Sequence, residues 1–269
     1  MADETEIRSF LLSREELILL LDLLEVAAIP GLDSDPLGAL NDEQRSLAFI
    51  WAGRALRARE LAAVGEDGSL LVDEQVLTAV RTCAHAQTAI HVYHWSAPGE
   101  TPSRFFGYLA NETIVTHTRP EDVLHRLSVL PSPQALIEAV TAVCHCHAIP
   151  ETTPAHYQIA RASFVQARER AEAQEVDAAQ AALRQGGIPQ DAAEALTAVL
   201  SGTPRMSIWQ IITQAENGER QTAEYTLLQQ GQPAWLISLA TAENKLQMQT
   251  TSTAALQTLL HQQLFGTDD

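Results

Sequence analysis

The spacing of apolar and polar residues predicts that the chain begins with three helices. Ser13-Arg-Glu-Glu16 has the form of a capping box, in which each of the two end residues accepts a hydrogen bond from the backbone amide of the other. Leucines then follow at helical spacing, and Ile29-Pro-Gly31 is expected to stop this helix. A second helix is expected from Asn41-Asp-Glu-Gln44, and a third over about Asp73–His85.

Strands are predicted next. Ala89–Trp95 alternates between the two faces of a strand and is rich in aromatic and β-branched residues. The segment Ser96–Ser103 reads as a loop because it contains two prolines and a glycine. Arg104–Ala110 and Thr113–Thr118 are expected to pair as a hairpin. Pro120-Glu-Asp122 is then expected to open a helix through Val123, Leu124 and Leu127 that ends at Leu130, and a further helix should cover Gln134–Cys144.

The second half of the sequence gives a similar order. A long helix is expected over Pro154–Gln185, broken by Gly186-Gly187, and another over Gln190–Leu200. Asn217-Gly218 is typical of a hairpin turn. Four strands and a closing helix are expected at Met206–Ala215, Thr222–Gln229, Trp235–Ala240, Leu246–Thr251 and Thr253–Phe265.

The order of these elements indicates an internal duplication. Leu77-Thr-Ala-Val80 recurs as Leu196-Thr-Ala-Val199, and each copy precedes a strand that carries aromatic residues. The hairpin that begins at Arg104 also resembles the one that begins at Pro233, each with a helix expected directly after it. We therefore predict an α+β protein of two related halves, 1–150 and 151–269, packed as one unit.

Charge narrows the classes of partner. Lys plus Arg number 17 and Asp plus Glu 34, which gives a formal net charge of −17. Nucleic acids and anionic membranes bind proteins that present an excess of positive charge, so neither is expected as a partner. The exception is a group of arginines at positions 45, 54, 57 and 59, which reads as the solvated face of an amphipathic helix. The 46% hydrophobic fraction is that of a folded protein.

Several features predict a cytoplasmic protein. The first six residues are acidic, and no apolar region of a secretory signal follows a basic start. The longest apolar run, Leu17–Leu24, is too short to cross a bilayer and contains Asp22. Three cysteines are a sparse and odd set for an oxidising compartment.

Cys144-His-Cys-His147 is the most prominent group of metal-ligating residue types. Cys144, Cys146 and His147 are weak candidates as zinc ligands, because adjacent residues seldom point at one ion. The alternative is a helix end with buried cysteines. His91 and His94 lie an odd number of residues apart, so they should occupy opposite faces of their strand, one packed and one in solvent. No nucleophile-elbow or phosphate-loop motif is present, and we expect no cofactor and no enzymatic activity.

Three further questions stay open at this point. Trp95, Trp209 and Trp235 fall in predicted strands and fit a core, but an exposed Trp would mark a binding surface. Three helices followed by a strand pair also fit a winged-helix regulator, which is the main structural alternative for the first half. An enzyme that uses Cys and His residues is a third possibility.

The residues also resemble a known family, the EspG chaperones of type VII (ESX) secretion. Five segments near the start of the chain carry the resemblance: Leu12–Leu24, Ile29-Pro-Gly-Leu32, Asn41–Arg45, Leu56–Leu61 and Asp67–Val72. The closing hairpin at Trp235-Leu236 and the closing helix at Leu256–Leu264 are similar to that family as well.

This resemblance implies a fold and a role. The fold is a pseudo-twofold duplicated α+β unit with an antiparallel sheet flanked by helical bundles. The role is that of a non-enzymatic cytoplasmic chaperone whose partner is a helical secreted protein of the PE–PPE type. It implies that the sheet and its loops bind the client, and Trp95, Pro98, Phe105 and Phe106 are the residues expected to contact it.

Overall fold

A computed structural model describes residues 7–29, 32, 40–215, 218–240 and 244–266. The predicted stop at Pro30-Gly31 and the Asn217 position of the predicted turn lie outside these residues. Within them, eight helices are present: α1 (Arg14–Leu23), α2 (Asp42–Ala58), α3 (Glu74–Ala84), α4 (Pro133–Val143), α5 (Arg161–Glu172), α6 (Val176–Gln185), α7 (Gln190–Leu200) and α8 (Thr253–Phe265).

The strands of the same residues form two sheets. The strands are β1 (Arg8–Ser13), β2 (Ala62–Val64), β3 (Leu70–Val72), β4 (Thr88–Trp95), β5 (Ser103–Ala110), β6 (Thr113–Glu121), β7 (Leu124–Leu130), β8 (His156–Ala160), β9 (Arg205–Gln214), β10 (Arg220–Gln229), β11 (Ala234–Ala240) and β12 (Lys245–Thr251). Ten of them make one sheet in the order β1-β7-β6-β5-β4-β9-β10-β11-β12-β8, and β2 pairs with β3 in a small hairpin.

The element order confirms the α+β fold and the duplication. The first repeat runs β1, α1, α2, α3, four strands and α4, with the β2–β3 hairpin added. The second runs β8, α5, α6, α7, four strands and α8. Read outward from β4 and from β9, the sheet has the same strand order in each repeat, and the two Leu-Thr-Ala-Val segments lie in the corresponding helices α3 and α7.

The chain also divides into two compact units. The first comprises Met1–Ile90, Phe105–Leu136 and Thr213–Glu219, and the second comprises His91–Arg104, Ile137–Ile212 and Arg220–Asp269. The predicted boundary between residues 150 and 151 falls between α4 and β8, where one repeat of the element order gives way to the next. It stays a prediction.

The helix starts follow the predicted chemistry. Glu16 donates its backbone amide to the Ser13 hydroxyl at 3.2 Å, and the Glu16 carboxylate accepts the Ser13 amide at 2.7 Å. Asn41 and Gln44 make the same reciprocal pair at the start of α2. The Asp73 carboxylate accepts the amides of Gln75 and Val76 at the start of α3. Each cap supplies partners for amides that a helix itself leaves unpaired.

The predicted helix after Pro120 is wrong. Residues 124–130 form β7, which pairs antiparallel with β6 and with β1. The predicted helix was based on the apolar residues Val123, Leu124 and Leu127, but the buried face of the strand carries His125 and Leu127. Because β7 follows β6, the counterpart of the hairpin at Pro233 is β6–β7 and not β5–β6.

Three other expectations need correction. The predicted helix over Pro154–Gln185 is the strand β8 followed by α5 and α6, separated at Gln174, whose φ is 63°. The strand β1 was not predicted. The winged-helix alternative required only a small strand pair behind three helices, whereas β4 lies in the middle of a ten-stranded sheet.

Candidate functional site

The residues expected to contact a client lie at the end of β4, in the loop after it and at the start of β5. Trp95 is half-buried at the end of β4, and its ring centroid lies 6.5 Å from that of Tyr93. Pro98 is exposed in the loop. These two side chains leave an apolar surface open to a partner.

Phe105 and Phe106 are placed differently. They are neighbours on β5, so their side chains point to opposite faces of the sheet, and they are only 3% and 1% exposed. The ring of Phe106 packs against the imidazole of His117, with 5.5 Å between centroids. Burial gives both phenylalanines a packing role in the free protein. A contact between any of the four residues and a client stays a prediction.

The Cys144–His147 segment ends α4 in a defined way. Cys146 donates its amide to the carbonyl of Thr141 at 3.0 Å, and His145 donates to that of Ala142 at 3.1 Å. His145 has a φ of 51°. This pair of bonds around one left-handed residue is a Schellman motif, which satisfies carbonyls at the end of a helix. The alternation of buried Cys and exposed His follows from that turn.

The cysteine side chains are committed to hydrogen bonds inside the protein. The Trp209 indole donates to Cys144 Sγ at 3.1 Å, and Cys146 Sγ donates to the carbonyl of Thr141 at 3.4 Å. A hydrogen bond with Cys144, together with burial, raises the pKa of Cys146. His147 is exposed. No group of three or more His, Cys, Asp or Glu residues that could hold a metal ion occurs in the described part of the chain.

His91 and His94 are both buried, at 8% and 3% exposure, so the expectation that one meets solvent is wrong. His94 Nδ1 lies 2.9 Å from Ser207 Oγ, and its ring centroid is 5.1 Å from that of His145. Burial lowers the pKa of both His91 and His94. Both faces of β4 are therefore covered at these positions.

A cavity of about 580 Å³ lies in the second unit beside this segment. Sequence reasoning did not find it, because its lining comes from segments far apart along the chain. Its polar lining residues include Ser96, His145, His147, Arg205, Gln229 and Gln232. Ser96 directly follows Trp95, so the cavity opens beside the predicted contact residue. The lining also includes the apolar residues Ile149, Pro150 and Ala234, and it carries one full positive charge, at Arg205.

Comparisons with known proteins identify the family. A sequence model of the EspG family matches residues 13–228, and the chain therefore belongs to the EspG family. No curated protein sequence matches it.

The fold is also similar to a solved structure. That structure is of the Mycobacterium tuberculosis type VII secretion system chaperone EspG5 in complex with a PE25–PPE41 dimer. The TM-score is 0.63 at 14% sequence identity, and the match covers 96% of this chain and 97% of the other. No helix among the described residues is both long and apolar enough to cross a membrane.

Proposed function

We propose that this protein is a cytoplasmic, non-enzymatic chaperone of type VII secretion that binds a helical client of the PE–PPE class. The match of the EspG family model to residues 13–228 carries the proposal. It is supported by a fold that aligns over nearly the whole chain with a chaperone solved in complex with a PE–PPE dimer.

The surface around Trp95 is the proposed contact region. Trp95 and Pro98 provide an apolar centre, and the neighbouring cavity provides polar groups from Ser96, His145 and Arg205. Interfaces between proteins commonly combine an apolar centre with a polar rim, and Trp is enriched among the residues that dominate binding energy. Phe105 and Phe106 are buried and would contribute only indirectly, by packing that holds β5 in place.

Binding to purified PE–PPE dimers tests this proposal. The probes are the PE25–PPE41 dimer and PE–PPE dimers encoded in the same genome as this protein. Isothermal titration calorimetry measures the affinity. We expect a one-to-one complex with at least one dimer, weakened by Trp95→Ala by about 2 kcal/mol, or roughly 30-fold.

The matched control is Trp51→Ala, which removes the same indole from an exposed site in the first unit. It should leave client affinity unchanged. The absence of a complex with every dimer tested would overturn the proposed function. A complex that Trp95→Ala and Pro98→Ala leave intact would keep the function and move the contact region elsewhere.

A further inference from the structure

The cavity beside Trp95 is positively charged, although the protein as a whole is strongly acidic. The chain has a formal net charge of −17, but no Asp or Glu is among the described residues that line this cavity. Glu151, the acidic residue nearest to the lining along the chain, lines a neighbouring cavity, where the Ser252 hydroxyl donates to its carboxylate at 3.3 Å. A concave surface that carries charge of one sign attracts the opposite charge, so a ligand of this cavity should be an anion.

Arg205 supplies the charge of the cavity. It lies at the start of β9 and is exposed, and no ion-pair partner is found for it within the described part of the chain. Burial lowers the pKa of His94, and the positive charges of His145 and Arg205 lower it further. Both side chains therefore lie near the same imidazole, and protonation of His145 adds a second positive charge beside that of Arg205.

The hydrogen-bonding groups around this charge are held by the fold. Ser96 Oγ lies 3.4 Å from His94 Nε2, and the Gln229 side-chain amide donates to the carbonyl of Cys144 at 3.3 Å. The ring centroid of His145 lies 5.1 Å from that of His94, on a residue that the Schellman turn fixes. Groups that are in position before a ligand arrives bind it at a lower entropic cost.

We propose that this cavity is a carboxylate-binding site, in which Arg205 pairs with the anion and Ser96 and His145 donate hydrogen bonds to it. A guanidinium holds a carboxylate through two parallel hydrogen bonds. One permanent positive charge among neutral donors matches a carboxylate better than a phosphate group, which carries about two negative charges at pH 7. The volume lies within the range of about 300–1,000 Å³ for small-ligand sites, and Ile149 and Pro150 in the lining can cover an apolar part of the ligand.

Two sources carry this chemistry, an Asp or Glu side chain of a client protein and a free carboxylic acid. The position of the cavity favours the client, because Ser96 directly follows Trp95 and a client residue that packs on Trp95 brings its neighbours to the cavity. This choice of source rests on the proposed function, whereas the carboxylate site itself does not.

The protein without a client tests the site. The probe is glutamate blocked as its N-acetyl and C-amide derivative, whose side-chain carboxylate is its only charge, and blocked glutamine is the matched neutral probe. NMR titration follows the backbone amides of the cavity and the Arg205 Nε–Hε group. We expect saturable binding of blocked glutamate with a Kd on the order of 1–10 mM. Blocked glutamine should bind about tenfold more weakly or not at all, because it lacks the charge.

Arg205→Gln should reduce the affinity for blocked glutamate by about tenfold or more, because it removes the charge and keeps a polar side chain. Arg184→Gln is the matched control, since Arg184 is exposed on α6 in the same unit and lies outside the lining. It should leave the affinity unchanged, and far-ultraviolet circular dichroism should show both variants folded.

Three results would overturn the carboxylate site. The first is the absence of a saturable shift in the cavity, and the second is equal binding of the two blocked amino acids or equal losses in the two variants. The third is tighter binding of sulfate than of blocked glutamate, which would show a site for anions in general.

Calorimetric titration with a PE–PPE dimer identifies the source of the carboxylate. If the client supplies it, Arg205→Gln should weaken the complex about tenfold, Arg184→Gln should not, and blocked glutamate should compete with the client. An unchanged client affinity in Arg205→Gln, with blocked glutamate still bound by the wild type, would overturn the client as the source and assign the site to a free carboxylic acid. Failure of every dimer to bind, with blocked glutamate still bound, would overturn the proposed function and support the site.

Discussion

The first helix of each repeat directly follows a strand, but the two helices differ in their caps and in the residues that they bury. α1 starts directly after the strand β1, and α5 starts directly after the strand β8. β1 and β8 are the two ends of the ten-stranded order. α1 begins at the Ser13 capping box and buries a run of leucine and isoleucine residues. α5 follows Ala160, which makes no side-chain cap, and buries Ala167 and Ala171.

The difference shows two ways of filling the same place in a repeat. In the first unit the helix supplies much of the core volume, and large side chains such as Leu17 and Leu20 are fully buried. In the second unit the buried surfaces of α5 and α6 consist mainly of alanine, while β11 contributes the fully buried Trp235 to the same core. The first core should therefore be most sensitive to truncation of α1, and the second to enlargement of α5.

Truncation of α1 should have the largest effect. Leu20 is fully buried, and Leu20→Ala removes apolar contacts and leaves a cavity, so we expect a loss of about 3–5 kcal/mol in the free energy of unfolding. Urea denaturation followed by tryptophan fluorescence measures it. Leu23→Ala, at the end of the same helix and 47% exposed, should cost well under half as much. Equal losses at the two positions would contradict the packing described for α1.

Enlargement of α5 should have the next largest effect. Ala171 is fully buried against the second core, and Ala171→Leu has no space for its additional carbons. We expect a loss of about 2–3 kcal/mol in unfolding free energy. Ala162→Leu is the control on the same helix, because Ala162 is exposed and should change stability by no more than about 0.5 kcal/mol. If Ala171→Leu were neutral, α5 would be loosely packed and the comparison with α1 would fail.

The difference between the two helices bears on what the sequence could reveal. The leucines of α1 and the capping residues Ser13, Asn41 and Asp73 gave the helix starts correctly, because caps and helical periodicity are local signals. The alanines of α5 are good helix formers but say little about boundaries. The predicted helix over Pro154–Gln185 therefore wrongly included β8, whose strand conformation depends on pairing with β12. Pairing of this kind is tertiary and has no local signature.

The site shows the same limit. Trp95 and Pro98 could be placed at a strand end and in a loop from local pattern alone. The burial of Phe105 and Phe106 could not, since it requires both faces of β5 to be covered. The cavity beside Trp95 joins Ser96, the α4 end and the residues before β11, and only the folded sheet brings these segments together. β7 was missed because His125, a polar residue type, lies on its buried face.

The buried histidines give a third contrast between the repeats. His117 Nε2 and His125 Nδ1 lie 2.9 Å apart in β6 and β7, whereas the corresponding strands β11 and β12 contain no histidine. Burial, with smaller contributions from His125 and Arg119, lowers the pKa of His117 from 6.5 to about 3. Between these values the folded state binds fewer protons than the unfolded state, so this contribution to stability is complete above pH 6.5 and is lost as the pH falls.

The expected slope is about 1.4 kcal/mol of unfolding free energy per pH unit below pH 6. Urea denaturation at pH 7, 6, 5 and 4 measures it. His117→Gln removes the titrating group, so its stability should fall less steeply with acid than that of the wild type by about this amount. Parallel pH profiles for the two proteins would show that His117 is protonated in the folded state as readily as in the unfolded one.

The smallest effect should come from exchanging the caps, and it tests the comparison most directly. Ala160 has φ −60° and ψ 133°, an extended conformation like that of Ser13 at φ −70° and ψ 165°. A hydroxyl at residue 160 can therefore accept a backbone amide in the first turn of α5. Ala160→Ser should raise the unfolding free energy by about 0.5–1 kcal/mol, and Ser13→Ala should lower it by about 1 kcal/mol.

Ala162→Ser, inside the first turn, has no such geometry and should be neutral or slightly destabilising. A gain from Ala160→Ser would show that the start of α5 can be stabilised by a cap that its own sequence does not supply. No gain would mean that pairing of β8 with β12 fixes the start of α5 too firmly for a cap to add to it.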